Sequence, residues 1–126
     1  MGYVHASISI SNPGKPDLKP VSVRGLVDTG ALMLCIPEHL QVQLDLKEED
    51  KREVTTADGT RHLIPYVGPV NVKFENRSCF VGALVIGDEV LLGAIPMEDM
   101  DLVVHPATKS LTVNPASPNF PHALVK

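Results

Sequence analysis

The run Val21-Ser22-Val23-Arg24-Gly25-Leu26-Val27 leads directly into Asp28-Thr29-Gly30-Ala31. Apolar residues at every second position mark a half-buried strand. An acid, a small hydroxyl residue and a glycine in succession mark a tight turn. Together they require a fold in which a strand ends by presenting a carboxylate at a turn. The remainder of the chain is punctuated in keeping with this. Eleven Pro and nine Gly among 126 residues break it into short elements. There is no Trp and aromatics reach only 4%, so the core must be built from Val, Leu, Ile, Ala and Met.

Most of those elements read as strands. Tyr3 to Ser11 alternates, with Val4, Ala6, Ile8 and Ile10 on one side, and ends in the turn Ser11-Asn12-Pro13-Gly14-Lys15-Pro16. Leu32 to Ile36 fits a short buried strand, and Pro37 to Leu44 a short helix with proline near its start. The mixed-charge run Lys47 to Glu53 reads as a solvated loop. Val54-Thr55-Thr56-Ala57 and Thr60 to Val67 flank Asp58-Gly59, a strong hairpin signal. Val70 to Phe74 and Cys79 to Ile86 form a further pair around Glu75-Asn76-Arg77. Val90-Leu91-Leu92 precedes Gly93-Ala94 and a short helix at Pro96 to Met100. Leu102-Val103-Val104 and Leu111-Thr112-Val113 are short strands, and the tail 114–126, with Pro115, Pro118 and Pro121, is expected to be extended.

Length fits one domain spanning 1–126. A net charge of −4 with scattered basic residues argues against a nucleic-acid partner. No apolar stretch is long enough to span a membrane. Met1 to His5 lacks the basic-then-apolar pattern of a secretory signal, which points to the cytoplasm and makes Asn76-Arg77-Ser78 an accidental glycosylation match. Cys35 and Cys79 both sit among apolar residues and read as buried free thiols. The five histidines show no metal-ligand spacing, so no metal or other cofactor is expected.

Val27-Asp28-Thr29-Gly30-Ala31 resembles the active-site signature of the retropepsin-like aspartic proteases. An Asp-Gly hairpin follows about thirty residues later, where such enzymes carry a flap, and Leu91-Leu92-Gly93 precedes a short helix as in that family. The resemblance covers Val21 to Val113 and is nearest to small stand-alone prokaryotic members, in which Leu-Leu-Gly-Ala-Ile-Pro runs into an acidic stretch like Glu98-Asp99-Met100-Asp101. Leu32-Met33-Leu34 stand where viral enzymes usually carry acidic and hydroxyl residues, and the flap tip lacks a run of glycines.

The resemblance implies a mainly β, closed acid-protease barrel with one or two short helices and a single lobe. It implies an aspartic endopeptidase, with Asp28 as the catalytic carboxylate and Thr29, Gly30 and Ala31 as its support. Ala57, Asp58, Gly59 and Thr60 would form the flap over a peptide or protein substrate, and Leu91, Leu92 and Gly93 the structure behind the site. With one Asp-Thr-Gly per chain, the site is expected to form in a homodimer, and the tail from Asn114 to pair across it. The competing reading is a catalytically silent module of the same fold that dimerises or binds peptides.

Overall fold

The computed structural model describes residues 3–126; Met1 and Gly2, on which the reading of the amino terminus partly rests, lie outside the described residues. Nine strands and two short helices follow in the order β1 (Val4–Ser11), β2 (Val21–Val27), β3 (Leu34–Ile36), α1 (Glu38–Gln43), β4 (Glu48–Thr55), β5 (Arg61–Phe74), β6 (Arg77–Val85), β7 (Leu91–Leu92), α2 (Ala94–Asp99), β8 (Leu102–His105) and β9 (Ser110–Val113).

The alternation in the first two strands decides their pairing. They run antiparallel, with Ile8 opposite Val23 and Ile10 opposite Val21, so Ala6, Ile8 and Ile10 all turn inward. The main sheet has the order β1-β2-β7-β3-β6-β5-β4, and a further antiparallel pairing of β1 with β5 closes six of these strands into a barrel. Closure removes two exposed edges. Its interior is filled by Ile10, Leu34, Ile36, Val70, Val72, Ala83 and Leu92, all with no exposed surface, and Leu44 and Met100 seal it from α1 and the end of α2. These are small, mostly branched aliphatics, as a core without Trp demands. The β8–β9 hairpin is a separate two-stranded sheet that packs on β1 through β9.

Four expectations need correction. Lys47 to Glu53 is no loop: Glu48 to Thr55 is β4, exposed on both faces except at Val54. The Asp58-Gly59 turn sets its register against β5, and backbone pairing needs no apolar side chains. Thr60–Val67 and Val70–Phe74 belong to one fourteen-residue strand, β5, whose register against β6 shifts between Val67 and Val70, where Gly68-Pro69 intervenes. The second helix begins at Ala94 rather than Pro96, since a proline in the first turn forfeits no helical hydrogen bond.

The fourth correction concerns the tail. Residues 115–120 run in turns and bends rather than extended, although, as the prolines require, without helix, and the segment is tied to its own chain. Asp101 accepts hydrogen bonds from Asn114 Nδ2 (3.0 Å), Ser117 Oγ (2.6 Å) and the His122 amide (2.9 Å). Asn76 Nδ2 donates to Pro118 O (2.9 Å), and the buried Arg77 guanidinium donates to Ser117 O. These bonds, led by the one from Ser117, hold the Asp101 carboxyl down at about 2, with the Arg77 charge assisting. Apart from the half-buried Asn114 and Ser117 the tail is exposed, Phe120, Leu124 and Val125 most of all among its apolar residues. Among the described residues no helix is long and apolar enough to cross a membrane.

Candidate active site

Strand β2 lies parallel to the short β7, with Val27 beside Leu92. One residue beyond that pairing, the Asp28 amide donates to Leu92 O (3.0 Å), so the backbone of Asp28 is still fixed by the barrel while its side chain has left the sheet. The chain then turns: the Ala31 amide donates to Asp28 O (3.2 Å), and Asp28 Oδ1 accepts the Gly30 amide (2.9 Å). An aspartate bonding the amide two residues on is the usual brace of such a turn. Thr29 and Gly30 are exposed, and among the described residues the Thr29 hydroxyl has no hydrogen-bond partner.

The other side of the loop is tied to the start of α2. The Ala94 amide donates to Ala31 O (2.9 Å) and the Ile95 amide to Leu32 O (2.8 Å). The helix thereby spends two of its unpaired first-turn donors on the loop. Gly93 permits this. A Cβ there would lie 2.4 Å from Met33 O and 2.7 Å from Leu32 C, although its backbone angles (φ −87°, ψ −174°) suit any residue. The requirement is therefore close approach, not conformational freedom.

The hairpin β4–β5 rises beside this loop. At its tip the Thr56 amide donates to Thr60 O and the Gly59 amide to Thr56 O (both 2.9 Å), with Gly59 at φ +84°. Asp58 Oδ1 accepts from Thr56 Oγ1 (2.6 Å) and from the Thr60 amide (2.9 Å), and these bonds lower its carboxyl to about 2.

Between hairpin and loop lies a cavity of about 460 Å³. Gly30, Ala31, Leu32 and Met33 form one wall, the end of β4 from Arg52 with the following Thr56 another, and Leu84 and Ile86 the back, with the half-buried Cys35 among them. Burial, and secondarily the Asp28 charge, push the Cys35 thiol up. A second cavity of about 210 Å³ adjoins it at Met33, lined by Tyr66, Phe80, Gly82, Ile95 and Asp99.

Of the site residues singled out in the sequence, Gly30 and Ala31 line the cleft; Asp28 and Thr29 precede them in the same loop, outside the cavity lining, and Gly93 lies against that loop at Leu32 and Met33. Leu91 and Leu92 stand behind as strand. The cleft is bounded by Arg52–Thr56 rather than by the tip residues Ala57, Asp58, Gly59 and Thr60, which lie outside the cavity lining. Arg52 and Glu53 escape the sequence reading because the charged run 47–53 reads as loop, whereas Val54, Thr55 and Thr56 read as strand beside the turn without being assigned to the site. A two-residue turn at Asp58-Gly59 would set Arg52 opposite Pro65, whereas Thr56 faces Thr60 across a three-residue loop and Arg52 lies opposite Ile64, a register the dipeptide alone does not give.

Residues 14–94, more than half of the chain, match the sequence profile of the family described as aspartyl protease. Among solved structures, the retroviral protease-like domain of Ddi1 from Leishmania major superposes with a TM-score of 0.62 at 13% identity, over 91% of this chain and 90% of that one. The EIAV protease complexed with the inhibitor HBY-793 superposes with a TM-score of 0.59 at 16% identity, over 78% of this chain and 88% of that one. No curated protein matches the sequence. The closed six-stranded barrel, the flanking short helices and the profile match agree: the chain belongs to the aspartyl protease family and has its retropepsin-like fold.

Proposed function

We propose that the chain is an aspartic endopeptidase that works as a homodimer, with Asp28 of each copy meeting at a twofold axis. The observation that carries this reading is the setting of Asp28. Its backbone is locked to Leu92, one carboxylate oxygen is held by the Gly30 amide, and its loop faces a cleft large enough for side chains of an extended peptide. A single carboxylate so placed is half of an acid–base pair, and a second copy supplies the other half.

Two carboxylates within hydrogen-bonding reach share one proton. The ionised member draws a proton from a water held between them as that water attacks the peptide carbonyl. The protonated member donates to the carbonyl oxygen as negative charge develops there. In this assembly the unpartnered Thr29 hydroxyl braces the two loops against each other. Gly30 keeps the floor clear for the substrate backbone, and the β4–β5 hairpin covers the bound peptide. The match to a protease crystallised with an inhibitor supports a peptide cleft at this end of the barrel.

The test compares the native protein with Asp28→Asn on a peptide library. Asparagine keeps the oxygen that accepts the Gly30 amide, so the variant should fold with an unchanged melting temperature. Cleavage should fall by roughly 10²–10⁴-fold. In dilute solution the specific activity should rise with protein concentration as dimers form. Equal cleavage by both proteins, or a strict monomer with undiminished activity in sedimentation, contradicts the reading.

A further inference from the structure

We propose that Arg52 is a specificity-determining residue, which receives an acidic side chain of the bound peptide beside positions that take apolar ones. The inference rests on the peptide-cleft reading above and names what that cleft selects.

Arg52 and Glu53 are the only charged residues on the lining of the larger cavity; the rest of its lining is apolar or carries a hydroxyl or thiol. They project to opposite faces of β4, as successive strand residues must. Glu53 is engaged by Arg61 across the hairpin at 3.7 Å. Arg52, by contrast, has no carboxylate within ion-pair distance among the described residues. Asp50, two residues back on the same face, turns its carboxylate to the Lys51 amide at 2.8 Å.

The Arg52 guanidinium is nevertheless held in place. It stacks over the Tyr66 ring, 4.1 Å from the centroid, as expected of a neighbour on the same face of the β4–β5 pair. Tyr66 in turn lies on Gly82, where a Cβ would be 2.1 Å from the phenolic oxygen. Gly82 thus makes the seat, Tyr66 fills it, and Arg52 rests on Tyr66 where the two cavities adjoin. A stacked guanidinium keeps its in-plane N–H donors free for a carboxylate. The apolar walls around it, Leu32, Met33, Val54 and Ile86, suit aliphatic neighbours in the peptide.

The test uses labelled peptides of one apolar sequence, carrying Glu, Gln or Lys at each position in turn. Binding to the Asp28→Asn protein is followed by fluorescence anisotropy, with cleavage by the native protein measured in parallel. At one position Glu should bind about two- to fivefold more tightly than Lys, the range of an exposed ion pair. The difference should shrink at about 1 M salt, where the Debye length is ~3 Å. Arg52→Gln should abolish the preference and Arg52→Glu reverse it. Tyr66→Leu, which removes the platform and keeps the charge, should weaken it without reversal. Equal binding of Glu and Lys peptides at every position, or a preference that survives Arg52→Gln, overturns the proposal. Cleavage without acid preference sinks this inference and leaves the peptidase. An Arg52-dependent preference in binding without cleavage sinks the peptidase and leaves this inference. Failure of every peptide to bind removes both.

Discussion

Gly93 shows how much one residue decides. Its missing side chain lets the first turn of α2 touch Leu32 and Met33, and through that contact the Asp28 loop is held from both ends. Gly93→Ala should destabilise the protein by about 1–3 kcal/mol in urea unfolding, because backbone atoms cannot step aside as a side chain can. Gly30→Ala meets only the Asp28 carboxylate at 3.2 Å and should cost less. The two thiols differ in the same local way. Cys79 is buried and pushed up to about 12, whereas Cys35 is half-buried at the cleft. A maleimide at pH 8 should modify Cys35 slowly and Cys79 only after unfolding, read by mass spectrometry, and a peptide bound in the cleft should protect Cys35. Reading both cysteines as buried was right for Cys79. For Cys35 the apolar neighbours in sequence, Leu34 and Ile36, point into the core, and alternation turns the thiol the other way.

At the scale of elements, the β4–β5 hairpin is the informative case. Its turn was legible, since Asp-Gly between β-type runs admits few alternatives. Its length was not. Glu48 to Glu53 looks like solvent-exposed loop because it is solvent-exposed strand, and composition does not separate the two. The same blindness hid the cavity wall. The tip carries its own pH response. Asp58 has a folded value of about 2, below the ~3.9 of an unfolded aspartate. Its contribution is therefore fully present above pH ~4 and disappears as pH falls toward 2. The protection of the Gly59 and Thr60 amides, taken relative to intrinsic exchange at each pH, should fall over that window, and Asp58→Ala should show the low protection at every pH. Protection that stays constant in the native protein between pH 4 and 2 contradicts this.

For the whole molecule, the barrel class was legible and the closing contacts were not. Short alternating strands indicate a mainly β chain, and the resemblance carried by Asp28-Thr29-Gly30 implies the barrel, but the β1–β5 pairing that shuts it joins Ser9–Ser11 to Asn71–Lys73, a long-range register that no local pattern announces. The path of the tail was not legible for a related reason. Three prolines forbid helix but do not say where the chain goes, and its path is decided by the carboxylate of Asp101, which sits just past α2 at φ +56°. Asp101→Ala should release residues 114–122, seen as new proteolytic cuts there with the barrel intact. Because Asp101 also lies at about 2, acidification from pH ~4 toward 2 should have the same effect in the native protein. A tail that stays protected in the variant would mean that Asn76 and Arg77 suffice to hold it.

The perch of Asp28 has a consequence for how the molecule is made. The acid is the twenty-eighth residue, but the carbonyl that pins its amide belongs to Leu92, and the amides that steady its loop belong to Ala94 and Ile95. A ribosome must first translate the whole stretch from Asp28 to Ile95 before these partners exist. Any nascent or nicked fragment that stops short of them carries the acid without its mount.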